Sequence, residues 1–88
     1  MDISIISASM TFTKEDGYVG KVHFSVPAHR FDYEIVLQSK KGKEWGYGLF
    51  FLNESGDEEQ LELVEELLEE NDELFDQLVD AAKQALES

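Results

Sequence analysis

Over positions 57–87 apolar residues recur at alternating steps of three and four: Leu61, Val64, Leu68, Phe75, Leu78, Ala82 and Ala85, with Asn71 in the same series. That spacing brings them to one side of a helix. Leu67, Leu74, Val79 and Leu86 broaden the stripe, and no Gly or Pro interrupts it. A band this wide suits a helix lying on a sheet or another helix better than a narrow two-stranded seam.

Residues 1–53 keep a period of two instead, the alternation of strands separated by turn signals. The first strand is expected from about Ile3 to Phe12, with Ile6, Ala8, Met10 and Phe12 on one side. Lys14-Glu15-Asp16-Gly17 then turns the chain, since Gly17 can take the positive φ that closes such loops. The second strand, about Tyr18 to Val26, alternates Tyr18, Gly20, Val22, Phe24 and Val26 with Val19, Lys21, His23 and Ser25. Pro27-Ala28-His29-Arg30 is a turn, because Pro27 cannot donate to a ladder. The third strand, about Phe31 to Gln38, puts Phe31, Tyr33, Ile35 and Leu37 on one face, and Ser39 to Glu44 is a basic loop around Gly42. The fourth, Trp45 to Leu52, is the most apolar segment of the chain.

A one-residue slip would send every apolar set to the wrong face, so register is testable. A meander accepts the rows Ile6-Phe24-Tyr33-Phe51, Ala8-Val22-Ile35-Leu49 and Met10-Gly20-Leu37-Tyr47, all of them apolar. The opposite face reads Ile5-Ser25-Asp32-Leu52, Ser7-His23-Glu34-Phe50 and Ser9-Lys21-Val36-Gly48, mostly polar except along the fourth strand. Only the C-terminal stripe is available to cover the apolar face. Ser55 with Glu58 forms a capping-box pattern at its start. Thirty residues of helix span about 45 Å, whereas nine-residue strands span about 30 Å. Either the helix bends or breaks near Asn71, where Asn71-Asp72 offers a second cap, or its end overhangs and packs on a second copy. The expected fold is α+β: one domain over residues 1–88, a four-stranded antiparallel β-meander (1–53) followed by a long or bent C-terminal helix (54–88) packed on one sheet face.

Charge changes the picture. Residues 54–88 hold fourteen acids against Lys83 alone, while acids and bases balance in residues 1–53, so the whole net charge of −13 belongs to the helical part. Such a field repels nucleic acid and anionic membrane and attracts basic proteins or cations. With no Cys, thiolate and disulfide chemistry are excluded. No signal-peptide pattern or membrane-length apolar run is present, and a cytoplasmic protein is expected.

Between Asp57 and Asp80 lie twelve carboxylates and no base. Solvated helices usually set Lys or Arg four residues after Glu; like charges at those spacings cost stability instead. At about 1.5 Å rise per residue the charges fall one per about 3 Å, against about 1.7 Å for duplex DNA. Glu58, Glu62, Glu65, Glu66, Glu69, Glu70, Glu73 and Asp76 are therefore candidate contacts to a basic protein surface, in the extreme as a DNA-mimic inhibitor. The plainer reading is an acidic, solubilising face.

In a meander the fourth strand is an edge, with unpaired backbone beside apolar side chains. Gly46 and Gly48 would let another backbone approach. Trp45, Gly46, Gly48, Phe50 and Leu52 are thus candidates for a homodimer interface; the alternative is that the helix end or the N-terminus covers the edge. Catalytic material is thin: His23 faces Glu34 near Ser7, the outline of a nucleophile, base and orienter, but on an open sheet face. The acidic run Asn53 to Glu59 lacks the spacing of a calcium loop. No catalytic, metal or cofactor site is expected. Lys40, Lys41 and Lys43 suit a solubilising hairpin tip or a phosphate contact.

The order of four meandering strands and a long helix resembles the single-stranded DNA-binding transcriptional coactivators and the PUR repeats, families that dimerise and bind nucleic acid on a curved sheet. The likeness is one of element order and implies a dimer. The outer face here sets Asp32 and Glu34 beside Lys21 and lacks the basic, aromatic-studded groove of single-strand binders. A binding or regulatory protein without enzymatic activity is the function expected, a dimerisation module or sheet-borne single-strand binder the alternative.

Overall fold

The computed structural model describes residues 3–29, 31–52 and 56–87. Four strands, β1 (Ser4–Thr13), β2 (Gly17–Ser25), β3 (Tyr33–Ser39) and β4 (Gly46–Phe51), precede two helices, α1 (Glu58–Glu70) and α2 (Asp72–Glu87). The strands form one antiparallel sheet in the order β1-β2-β3-β4, and the helices pack on one of its faces, α2 over β1 and β2 and α1 against β4.

Pairing follows the expected rows Ala8-Val22-Ile35-Leu49 and Met10-Gly20-Leu37-Tyr47, and Phe24-Tyr33-Phe51 in the third. The exception is the start of β1. A bulge between Ile5 and Ser7 sets Ile5, not Ile6, against Phe24, and moves Ser4 opposite Ser25. Ile6 is the extra residue and is 52% exposed, so it does not join the core. A bulge restores the face alternation on either side while removing one residue from the ladder. Phe12 keeps the face of Met10, opposite Tyr18, but near the strand's end it stands half exposed and packs on that ring with centroids 4.7 Å apart.

The core is one cluster in which Met10, Val22, Phe24, Tyr33, Ile35, Leu37 and Leu49 from the strands meet Val64, Leu68, Leu74, Leu78, Val79 and Ala82 from the helices. Close approach of α2 depends on Gly20. A Cβ there would stand 2.9 Å from the Met10 methyl and 3.1 Å from Ala82 Cβ, so the missing side chain is the space the helix occupies. Gly17 closes the first turn at φ +77, and a side chain at that position would also collide with the Ser39 carbonyl. In the second turn His29 N donates to Val26 O, and the positive φ falls on Ala28 (φ 69) behind Pro27. That is the pattern of a type II turn without its usual Gly.

The helical stripe breaks where the Asn-Asp pair allows it. Asn71 adopts an extended conformation, its N–H closing α1 on the Leu67 carbonyl at 2.8 Å. Its side-chain Oδ1 accepts from Leu74 N at 3.2 Å, the N-cap of α2. One residue thus ends one helix and starts the next. A straight helix of thirty residues would need about 45 Å, more than the molecule's 38 Å longest extent. At the other end of α1 the cap is Asp57, whose carboxylate accepts from Glu59 N at 2.9 Å. This replaces the expected Ser55 box; Ser55 itself lies outside the described residues, as does Arg30.

Candidate functional site

The apolar stripe decides where the acids go. Since Val64, Leu68, Leu74, Leu78 and Ala82 turn inward, Glu58, Glu62, Glu66, Glu69, Glu70, Glu73 and Asp76 are exposed and Glu65 is half-buried. Among the described residues the one ion pair is His23–Glu34, on the sheet, and no helix carboxylate is ion-paired there. The bases are directed elsewhere. Lys40 Nζ donates to the Glu15 carbonyl at 2.8 Å, and Lys83 stands over the Trp45 ring at 5.8 Å. Lys40, Lys41 and Lys43 line a hollow of their own with Ser39 and Glu44.

The inner margin of the acidic surface reaches β4. Burial raises the Tyr47 pKa, and the nearby carboxylates of Glu69 and Glu65 raise it further, since both oppose a phenolate. Tyr33 behaves alike, raised by burial first and by Asp57 second. Its hydroxyl is bonded to His29 Nδ1 at 2.8 Å.

The fourth-strand residues divide between the two faces. Trp45 is half-buried against the core, its ring 6.1 Å from that of Tyr18. Gly46 is exposed with open space around it, Leu52 is half-buried, and Leu52 N donates to the Asp32 carbonyl at 3.1 Å. Phe50, 53% exposed, leans over Gly48 so that its ring lies 3.0 Å from where a Cβ would be. Gly46, Gly48 and Phe50, with Val36, Gln38 and Tyr47, line a shallow hollow of about 500 Å³ on and beside the outer face.

On that same face the cross-strand row Ser7-His23-Glu34 is hydrogen-bonded in series. His23 Nε2 lies 2.8 Å from Glu34 Oε2, and Ser7 Oγ 3.1 Å from His23 Nδ1. The carboxylate can only accept, so Nε2 carries the hydrogen and Nδ1 of a neutral ring accepts from the Ser7 hydroxyl. These are the distances of a nucleophile and its base. What acyl transfer also needs is donors aimed at a developing oxyanion. His23 and Glu34 lie on strands paired on both sides, whereas Ser7, on the edge strand, is paired with β2 alone. The row also ties β1, β2 and β3 together across the outer face.

Among the described residues no three His, Cys, Asp or Glu side chains converge on a possible metal position, and no helix is long and apolar enough to cross a membrane. Asn53 to Ser55 of the acidic run lie outside the described residues. Comparison with protein-family models, curated proteins and solved structures finds no match.

Two surface features were not singled out from the sequence. Leu63, off the helical stripe, is 53% exposed and lines a small groove with His29, Glu66, Leu67 and Glu70; its place outside the three-four spacing was the available signal. The second is a groove joining Ile5 to the flank of α2. The β1 bulge brings Ile5 there, and simple alternation does not reveal it.

Proposed function

We propose that this is a small acidic binding or regulatory protein of the cytoplasm, without enzymatic activity, whose two helices present carboxylates to a basic protein surface. The observation that carries the reading is the exposed row Glu58, Glu62, Glu66, Glu69, Glu70, Glu73 and Asp76, none of which has a cationic partner among the described residues. A helix that bears like charges at every neighbouring turn gives up stability, and a cation supplied by a partner offsets that loss on binding. The break at Asn71 sets the two charged rows on separate helices, which suits a curved basic surface. The test is affinity capture from native lysate at low and raised salt, followed by competition with duplex DNA. Retained basic protein, released steeply by salt and displaced by DNA, is the expected result. Salt-insensitive binding refutes the electrostatic reading, and a shift of single-stranded DNA in a low-salt gel would favour the sheet instead.

A second reading, homodimerisation through β4, is favoured by Phe50, which stands 53% exposed beside Val36, Gly46 and Gly48. Burying that patch against its twofold copy removes an aromatic from water while keeping the acidic helices on the far faces. Sedimentation then gives a dimer that Phe50→Ser dissociates. A monomer at high concentration refutes it.

A further inference from the structure

The unoccupied side of β1 is the outer edge of the sheet: among the described residues β1 pairs with β2 only. Beside that edge runs a groove of about 510 Å³, lined by Ile5 and by one flank of α2, namely Glu73, Asp76, Gln77, Asp80, Ala81 and Gln84. Its apolar lining is Ile5, 38% exposed, and Ala81. Its wall is acidic or amide throughout. We propose that this edge and groove together receive an extended basic segment of a partner protein, which adds to the sheet as a fifth strand alongside β1. The proposal rests on the basic-partner reading above and names the mode of binding.

Three features argue for an extended occupant. An edge strand offers main-chain N–H and C=O groups that only another extended backbone satisfies in register. From Glu73 to Gln84 the wall runs about 16 Å along α2, the length of about five residues of strand. On an added strand alternate side chains point to one face about 6.7 Å apart, and Asp76 and Asp80, one turn apart, are separated by about 6 Å along the helix. Two lysines or arginines at i and i+2 therefore meet one carboxylate each. Their aliphatic stems cover Ile5 and Ala81.

Charge selects the occupant. A second copy pairing its own β1 here would bring Glu73, Asp76 and Asp80 of both chains toward a shared axis, like charge against like. A basic strand meets the opposite sign. The bulge at Ile6 interrupts the ladder near the start of β1, which limits indiscriminate edge pairing and leaves the regular stretch Ser7–Thr13 for a guest.

The test uses the full chain and a fluorescein-labelled alternating lysine–valine heptapeptide, with a second version N-methylated at alternate backbone nitrogens. Anisotropy at about 20 mM salt gives affinity, and residue-resolved amide exchange gives the location. The unmodified peptide is expected to bind and to slow exchange of outward-facing β1 amides by about tenfold or more. The methylated peptide, equal in charge but lacking donors, loses binding by about tenfold or more. Glu73→Gln, Asp76→Asn and Asp80→Asn together weaken binding about tenfold, whereas Glu58→Gln, Glu62→Gln and Glu66→Gln on α1 cost about twofold through the general field. All six are exposed positions, so folding is preserved. Equal binding of both peptides, equal losses from the two helices, or protection located away from β1 overturns the site while leaving the basic-partner reading standing. Failure of the unmodified peptide to bind overturns the site as well, and the salt-dependent capture then decides the broader reading. Concentration-dependent protection of β1 without peptide assigns the edge to a second copy and overturns the proposal.

Discussion

Glu62→Lys tests whether the helix carboxylates repel one another as their geometry requires. Glu62 is exposed in the middle of α1, and Glu58, Glu59, Glu65 and Glu66 occupy the positions three and four residues away on either side. All four neighbours lie within the same helix, and among the described residues none of the five carboxylates is in an ion pair. A like-charge pair at this separation destabilises a helix by about 0.2–0.5 kcal/mol, and an opposite pair stabilises it by as much. Reversing four of them, discounted for exposure, amounts to about 1–3 kcal/mol. In a domain of this size that raises Tm by about 5–15 °C. Glu and Lys have nearly equal helix propensity, so propensity cannot mimic the effect. Circular-dichroism melts at about 10 mM and about 0.5 M NaCl separate electrostatics from packing, since the screening length falls from about 30 Å to about 4 Å. Most of the gain is expected to vanish at high salt, while the unmodified protein gains stability. An unchanged Tm at low salt, or a gain that persists at high salt, refutes the repulsion. The same substitution should weaken capture of a basic partner, the stability–function exchange expected of a binding surface.

Three further outcomes follow from local geometry. Asn71→Ala removes the acceptor for Leu74 N and should cost about 1 kcal/mol, read as a lower Tm, while Asn71→Asp keeps the cap; equal melts for all three proteins would show that the cap contributes nothing. Ala28→Gly relieves a positive φ and should stabilise by about 0.5–1 kcal/mol, the relief exceeding the added chain entropy; a lower denaturant midpoint contradicts this. For Tyr33 and Tyr47, whose folded pKa values are raised by burial and by neighbouring carboxylates, the folded state holds the phenol protons more tightly. Their stability is fully present below the ordinary value of about 10 and is lost as pH rises through the folded values. Melts between about pH 9 and pH 11 should therefore show falling stability, part of which Tyr47→Phe removes; a flat profile refutes it.

The sheet was legible because each turn length agreed with the apolar alternation on both sides of it. Val22, Ile35 and Leu49 fall in one row only if every hairpin closes as expected, and they do. Ile5-Ile6 was not legible. Two neighbouring isoleucines satisfy either register equally, and only the ladder decides which one is left over. The helical break was written in Asn71-Asp72, a capping pair set inside an apolar stripe, although the stripe alone ran through it unbroken. The cap at Asp57 competed with Ser55, and a carboxylate at the helix start has the advantage of the helix dipole. For the surface, sequence placed the acids on the solvent side and Leu63 off the apolar stripe, but the grooves at Leu63 and at Ile5 do not emerge from a period taken one element at a time. Both need two elements brought together.

The disposition of the bases bears on whether the acidic surface is merely solubilising. A solvated helix loses nothing by carrying Lys four residues after Glu, and gains a little. Here the single base of the helical half, Lys83, lies over Trp45, and Lys40 is bonded to a backbone carbonyl beyond the far end of the sheet. The strand half has bases in number equal to its acids, so the chain is not simply poor in lysine. Solubility requires net charge, which mixed surfaces with a modest excess supply at no structural cost. Among the described residues no cation is paired with Glu58, Glu62 or Glu66, and their like charges carry a cost in helix stability that solubility does not require. Under the proposed reading a partner's cations offset that cost on binding, and the low-salt gain expected of Glu62→Lys measures how large it is.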